Sequence, residues 1–307
     1  MHGSRWYLRS VAAALSGLLV LVVPPLWAQA TTWHLTRATE ARRLAAFADT
    51  TLDESSGIAA SRQHPGILWT IEDSGAEPLL HATDTTGADL GAWTVTGAAN
   101  LDWEAVTLGP CPGGRCLYIG DIGDNNATRR QVEVYRVPEP DPSGRRRTTT
   151  RAVQLTVTYP GGPRDAESLV MLPDTSLLII SKSASGSRVY RVPASAWHGT
   201  RPVRAAEMGT LSIPTGGLTS LVTDAAVSPD GTRLAVRTYT AIYFYRIIPG
   251  PALTEDGACG IFGVEPQGEG VTWLDPERLV TSWESNFGIP GGLALVRCSP
   301  RDSLAGD

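Results

Sequence analysis

Oxygen-bearing side chains recur along this 307-residue chain, each beside the start of an apolar segment with strand-like composition. The positions that we regard as equivalent are Ser56, Glu104, Glu167, Thr223 and Glu269. Such a set, poor in histidine and cysteine, has the ligand chemistry of a hard cation such as Ca²⁺. Carboxylates that converge repel one another unless a cation neutralises them, so convergence of these residues predicts a calcium site. The alternative is that the acids accept backbone N–H bonds or line a water-filled channel.

A second set of polar residues follows the next apolar segment of each stretch. Its members, which we predict to be catalytic or ligand-binding, are Asp73, Asp121, Asp124, Lys182, Arg237 and Glu284. The carboxylates of Asp73 and Asp121 could position a water molecule for hydrolysis. Lys182, the only lysine of the chain, and Arg237 could bind the charge of a phosphate or carboxylate. Pairing of these two cations with neighbouring acids is the alternative.

The densest polar loop reads Gly-Asp-Ile-Gly-Asp-Asn-Asn over residues 120–126. Its Asp and Asn oxygens could bind a second calcium ion or hold an attacking water molecule. The loop lacks the terminal glutamate of an EF-hand. Asp, Asn and Gly are also ordinary turn formers, so a purely structural role is the alternative.

A three-strand phrase is repeated five times along the chain. Its clearest part reads Val-Glu-Val-Tyr-Arg-Val-Pro at 132–138, Ser-Arg-Val-Tyr-Arg-Val-Pro at 187–193 and Ile-Tyr-Phe-Tyr-Arg-Ile-Ile-Pro at 242–249. The oxygen-bearing positions mark units that are 48, 63, 56 and 46 residues apart. Repeats of this length predict an all-β protein, a five-bladed β-propeller of four-stranded blades. A β-sandwich is the alternative, but it would not explain five copies of one phrase.

A fourth, outer strand is predicted in most units. These strands are Ala92–Thr96, Val153–Tyr159, Met208–Ile213 and Cys259–Val264. The chain ends before the fifth unit can form its own, so we predict that the N-terminal segment Arg42–Ala48 completes the last blade. The composition of this segment also suits a helix.

Residues 1–30 have the pattern of a secretory signal peptide, with Arg5 and Arg9 before an apolar run and a small-x-small site at Ala28-Gln29-Ala30. We predict a single propeller domain over 31–307, secreted to an extracellular or periplasmic space, with no membrane contact after cleavage. An uncleaved anchor is the alternative. Because 31 acidic residues outnumber 26 basic ones, no nucleic-acid partner is expected. We expect a monomer whose partner is an extracellular small molecule, glycan or protein.

Four cysteines in an exported chain favour two disulfides. Cys111 and Cys116 flank the turn-like spacer Pro-Gly-Gly-Arg, which predicts a local bond between them. Cys259 and Cys298 then pair by elimination and would tie the fourth blade's outer strand to the last blade. A zinc half-site at the Cys-x₄-Cys spacing is the alternative.

The phrases resemble those of the calcium-activated nucleotidases, or soluble apyrases, which are secreted five-bladed propellers with one axial calcium ion. Their inner strands begin with Ser, Glu, Glu, Ser and Glu, and the same oxygen-bearing series occurs here with threonine in fourth place. Two arginine positions of that family differ in this chain, where Ser74-Gly75 follows Asp73 and Ser-Lys-Ser occupies 181–183. The chain also resembles unassigned secreted bacterial propellers of the phytase-like and esterase-like group. The resemblance therefore implies the fold and the calcium ion rather than nucleotide hydrolysis.

Two functions are compatible with these patterns. The first is a propeller with a central calcium ion that binds a ligand or partner at the channel mouth without catalysis. The second is a calcium-dependent hydrolase of an extracellular phosphate or carboxyl ester. They differ in whether water-positioning acids and a cation for the developing charge converge at the mouth.

Overall fold

The computed structural model of this protein describes residues 33, 35–145, 147–250, 252–261 and 263–298. These ranges contain 22 β-strands and one short 3-10 helix, Ala194–His198. In the same ranges, no helix has the length and apolarity to cross a membrane. The predicted signal peptide, 1–30, lies outside the described residues.

The strands form five sheets, which we call blades, and the first strand named for each blade is its innermost strand. Blade 1 consists of β3 (Ser55–Ala60), β4 (Leu68–Glu72), β5 (Leu79–Thr83) and β6 (Ala92–Thr94). Blade 2 consists of β7 (Trp103–Cys111), β8 (Gly114–Asp121), β9 (Val132–Pro138) and β10 (Val153–Thr158). Blade 3 consists of β11 (Ala166–Met171), β12 (Leu177–Ser181), β13 (Arg188–Val192) and β15 (Ala206–Thr210).

The last two blades follow the same plan. Blade 4 consists of β16 (Val222–Val227), β17 (Arg233–Thr238), β18 (Ala241–Ile248) and β19 (Ala252–Gly260). Blade 5 consists of β20 (Gly268–Trp273), β21 (Arg278–Trp283), β22 (Gly292–Arg297) and the N-terminal strand β2 (Glu40–Ala46). Two short strands extend blades in parallel fashion: β1 (Leu35–Arg37) beside β19 and β14 (Val203–Arg204) beside β10.

The five innermost strands close a ring, since each contacts the innermost strands of both neighbouring blades. The contacts run from β3 to β7, β11, β16, β20 and back to β3. The predicted five-bladed β-propeller is therefore confirmed. Because the inner strands run in the same direction, their first residues surround one end of the channel and their last residues the other.

The ring is closed by the N-terminal strand, as predicted. Strand β2 pairs antiparallel with β22, from Glu40 opposite Arg297 to Ala46 opposite Gly292, so the segment is a strand and not a helix. One outer strand was predicted wrongly: β19 is Ala252–Gly260, not Cys259–Val264. The reason is the register of β18 and β19, which places Ala252 opposite Ile248.

Both predicted disulfides are present. Cys111 and Cys116 link β7 to β8 with their Cα atoms 5.8 Å apart. Cys259 and Cys298 are 6.0 Å apart at their Cα atoms and join the outer strand of blade 4 to the end of blade 5. The second bond lies beside the N-terminal closure strand, where the two chain ends are otherwise held by strand pairing.

Apolar side chains fill the spaces between blades. Between blades 1 and 2, Trp69, Trp93, Trp103 and Tyr135 belong to one buried cluster. Truncating a buried tryptophan typically costs about 3–5 kcal/mol. This packing fixes the positions of the inner strands that carry the polar site.

Candidate metal centre at the channel mouth

Every innermost strand is interrupted by a β-bulge near its first residues. At each bulge, one residue of the innermost strand has no direct partner on the second strand, and in blade 5 Gly270 lacks one as well. These residues are Ser56, Glu104, Glu167, Thr223 and Glu269. Bulges redirect side chains and are frequent next to active sites. The five positions chosen from the sequence are therefore structurally equivalent, while their role as calcium ligands stays a prediction.

These five side chains are buried, with exposed fractions of 3% or less. Ser56 Oγ donates to Glu104 Oε2 at 3.0 Å. Burial, followed by the charges of Glu167 and Asp73, raises the pKa of Glu104 well above its usual range. Thr223 Oγ1 instead donates to the main-chain oxygen of Glu269 at 2.9 Å. The structure therefore brings the carboxylates into electrostatic contact, and the threonine hydroxyl is used in a hydrogen bond between the inner strands of blades 4 and 5.

Lys182 supplies positive charge to one side of this ring. Its Nζ lies 3.0 Å from Glu167 Oε1 and 5.3 Å from the ring centroid of Tyr239. Burial lowers the pKa of Lys182, but the charges of Glu167 and Glu269 outweigh burial and raise it above its usual value. The ammonium of Lys182 thus neutralises part of the carboxylate charge for which a calcium ion was predicted.

Three carboxylates on the other side of the mouth form a cluster, which we call the acidic cluster: Asp73, Asp102 and Glu104. Their oxygens lie within 4.8 Å of one another. Burial and the charge of Asp73 raise the pKa of Asp102 to about 6. Burial also raises the pKa of Asp73, although a hydrogen bond from Asp102 opposes this. The carboxylates therefore repel one another at close range, as expected of a group that could bind a metal ion.

The elements that build the acidic cluster are rigid. Asp73 follows the last residue of β4, and Asp102 directly precedes β7. Between Asp102 and Glu104, the side chain of Trp103 is fully buried, and its Nε1 donates to the main-chain oxygen of Ala99 at 2.9 Å. The indole therefore anchors the strand start that carries two of the three acids.

Gly123 forms one wall of the acidic cluster. A Cβ atom at this position would lie 2.5 Å from Glu104 Oε1 and 2.6 Å from Asp102 Oδ2. Its amide donates to the main-chain oxygen of Asp102 at 3.1 Å. Only a residue without a side chain can approach the carboxylates this closely, so the 120–126 loop contributes backbone to the site.

The carboxylates of that loop do not face the acidic cluster. Asp121 is fully buried and pairs with Arg129 at 2.8 Å, and its Oδ1 accepts the amide of Asp102 at 3.1 Å. Asp124 accepts the amides of Thr128 and Arg129, both at 2.8 Å. These contacts correspond to the structural alternative, in which the acids shape a turn. Asp121 acts on the site by holding Asp102.

Arg237 is also directed away from the mouth. It is fully buried, donates to the main-chain oxygens of Gly270 at 2.7 Å and Ser282 at 3.0 Å, and pairs with Glu265. These contacts hold β17 of blade 4 against the strands of blade 5. Among the predicted cations, it is Lys182 that contacts the ring carboxylates.

Glu284 follows the second strand of blade 5 and lies close to Glu269 at the mouth. Burial, followed by the charges of Glu269 and Asp73, raises its pKa to about 8. Gln267 donates to Glu284 Oε2 at 2.5 Å and to Glu269 Oε1 at 3.3 Å, so one amide bridges the two acids. Glu284 can therefore exchange a proton near neutral pH.

The strand pairing explains why some of the predicted residues lie away from the mouth and why other residues lie there instead. The residues that follow the second strand of each blade are Asp73, Ile122, Lys182, Tyr239 and Glu284. By this alignment Asp121 precedes the equivalent position by one residue, and a shift of one residue turns a strand side chain to the other face. Arg237 precedes it by two residues and lies further from the strand end, where the ring centroid of Tyr239 is 5.3 Å from Lys182 Nζ. Asp102 and Gln267 each stand two residues before a ring acid, which is a signal present in the sequence.

No family model and no curated protein sequence matches this chain. Among solved structures, a PQQ-bound aldose sugar dehydrogenase from Streptomyces coelicolor aligns with 11% identity, a TM-score of 0.49 and coverage of 85% of this chain and 99% of that one. A gluconolactonase from Xanthomonas campestris aligns with 15% identity, a TM-score of 0.46 and coverage of 86% and 99%. These low scores support no inference about activity, and the propeller assignment rests on the five sheets themselves.

Proposed function

We propose that this protein is a secreted propeller that binds Ca²⁺ at the acidic cluster and uses the ion to bind an oxygen-rich ligand at the channel mouth. The observation that carries the proposal is the approach of the Asp73, Asp102 and Glu104 oxygens to within 4.8 Å of one another. All three donors are hard oxygen ligands, the type that Ca²⁺ prefers. The two disulfides fit an oxidising compartment.

Two groups beside the acidic cluster also support the proposal of an ion there. Gly123 leaves a cradle that a methyl group would fill, and Asp121 holds the amide of Asp102. When bound, a calcium ion would offset the carboxylate repulsion and orient ligand oxygens. The chain's own part is to hold three carboxylates in place with buried supporting groups.

Calorimetric titration of the purified protein with CaCl₂ tests this proposal. We expect saturable binding, and Asp102→Asn should weaken it by about tenfold or more because one anionic ligand is lost. Glu54→Gln is the matched control, since Glu54 is an acid beside Asp73 but outside the acidic cluster. Absence of binding in the parent protein, or equal loss in both variants, would overturn the proposal.

Ester hydrolysis is a second candidate, and Glu284 is the observation that favours it. A carboxyl group with a pKa of about 8 can hold or release a proton at neutral pH, as a general acid or base must. Lys182 provides a cation close to the same mouth. A screen of phosphate and carboxyl esters, with calcium and with chelator, should then show turnover that Glu284→Gln abolishes. Turnover that is unchanged in this variant would remove Glu284 from the mechanism.

A further inference from the structure

A cavity of about 470 Å³ lies at the end of the channel opposite the acidic cluster. Its walls come from the last residues of the inner strands, including Ile58, Val106, Met171 and Ala226. This volume lies within the range of small-molecule sites in proteins. The walls combine apolar side chains from the strand ends with a larger share of polar surface, so the cavity suits a small ligand that has both a hydrocarbon part and a charged group.

Two arginines, Arg62 and Arg115, line this cavity. Arg62 donates to the main-chain oxygens of Trp273 at 2.8 Å and Leu274 at 3.3 Å, which directs its guanidinium across the junction of blades 1 and 5. Among the described residues, neither arginine has a carboxylate within ion-pair distance. The cavity therefore contains positive charge that no acid in these ranges pairs directly.

The two guanidinium groups repel each other and are partly desolvated. Burial, followed by the charge of Arg115, lowers the pKa of Arg62. The Nε atom of Arg115 is buried and has no hydrogen-bond acceptor. A buried donor without a partner carries a desolvation cost. An anion between the two arginines would satisfy this donor and offset the repulsion.

The acids closest to the cavity are already engaged. Asp230, which lines the wall, accepts from Ser228 Oγ at 2.6 Å and from the Thr232 amide at 3.0 Å. Asp275, which acts on Arg62 through its charge, pairs with Arg278 at 2.6 Å. These contacts hold the acids within their own turns, and the arginines stay available to a ligand.

We propose that this cavity, the arginine pocket, binds a small organic carboxylate whose hydrocarbon part contacts the apolar strand ends and whose carboxylate is bound by Arg62 and Arg115. Guanidinium groups bind carboxylates through two parallel hydrogen bonds, which is stronger than a contact with a neutral group. The apolar side chains at the strand ends favour such a ligand over inorganic phosphate, which makes no hydrophobic contact with them. The site is separate from the acidic cluster and does not depend on calcium.

Ligand-observed NMR titration with hexanoate, in the presence of a chelator, tests the proposal. We expect saturable binding of hexanoate, with hexanamide and inorganic phosphate at least about tenfold weaker. Arg115→Gln and Arg62→Gln should each weaken hexanoate binding by about tenfold, whereas Arg246→Gln, which changes an exposed arginine paired with Asp256, should not. Arg62 is exposed, so its variant is expected to fold even if Arg115→Gln does not.

Three results would overturn the proposal. One is equal binding of hexanoate and hexanamide, which would show that the carboxylate is not recognised. Another is hexanoate affinity unchanged in a folded Arg62→Gln variant. The third is phosphate binding as tight as hexanoate binding, which would show that the apolar side chains make no contribution.

Discussion

The two sides of the channel mouth are built from equivalent residues but differ in charge compensation. On one side, Glu167 is 3.0 Å from the ammonium of Lys182, which also acts on Glu269. On the other, Glu104 is accompanied by Asp73 and Asp102. Each side therefore contains a glutamate at a β-bulge. The residues beside that glutamate determine whether a cation of the protein lies within ion-pair distance of its carboxylate.

The difference comes from one position in each blade. Lys182 follows the second strand of blade 3, and Asp73 follows the second strand of blade 1. A cation at this position pairs the ring acid internally, while an acid adds to the repulsion. A metal ion stabilises buried carboxylates most where no cation of the protein is in direct contact with them, and Lys182 and Arg129 act on the acidic cluster only through longer-range charge. The comparison supports the proposal that the ion binds at the acidic cluster rather than at the centre of the ring.

Lys182→Met gives the largest expected effect, because it leaves buried glutamates without their counter-charge. Removing one partner of a buried ion pair typically costs about 3–5 kcal/mol of folding free energy. Arg188→Met is the control, since it removes a cation from an exposed pair with Glu207 in the same blade. Urea unfolding at pH 7 with chelator measures both variants.

Calcium should rescue the Lys182→Met variant more than it stabilises the parent protein. The sequence predicts a central site of Ser56, Glu104, Glu167, Thr223 and Glu269, and without the ammonium the glutamates of this site would be free to bind an ion. Binding to the folded state alone stabilises by about 2.7 kcal/mol at a hundredfold excess over Kd. Equal stabilisation of variant and parent by calcium would show that removing the lysine does not create a calcium site.

Gly123→Ala tests the other side of the comparison. The added methyl group would overlap Glu104 Oε1 and the carboxylate of Asp102, so the loop or the acids must move. We expect calcium affinity to fall by about tenfold or more and stability to fall by about 1–3 kcal/mol. Gly199→Ala is the control, because a Cβ atom there meets its nearest neighbour at an ordinary 3.6 Å. Unchanged calcium affinity in Gly123→Ala would place the ion elsewhere.

The fold was predictable because the repeat combines local strand patterns with a regular spacing. The five markers and the closing N-terminal strand follow from it, while both disulfides follow from the number and spacing of the cysteines. The position of β19 did not follow from the repeat, because the register that places Ala252 opposite Ile248 is not evident from strand composition. Strand ends depend on the turns between strands more than on the strand residues themselves.

The site was less predictable because it depends on register. Asp121 and Arg237 have suitable side chains, but each pairs with the framework: Asp121 with Arg129 and Arg237 with Glu265. A pattern of residue types does not reveal which face a bulged strand presents. The role of Lys182 likewise became clear only from its distance to Glu167. Charge compensation within the site requires coordinates.

Glu284→Gln gives the smallest effect and tests whether the two sides share one electrostatic field. Burial and the charges of Glu269, Asp73 and Glu54 raise the pKa of Glu284 from 4.5 to about 8. The folded protein therefore binds more protons than the unfolded chain between these values, and stability should decrease as pH rises through this window. Glutamine carries no charge, so the variant should gain about 1–3 °C in Tm relative to the parent at pH 9 and little at pH 5. Thermal unfolding across this range, with chelator present, measures the difference. An equal Tm difference at both ends of the range would mean that Glu284 titrates as it does in the unfolded chain, and the field from the two sides would not reach it.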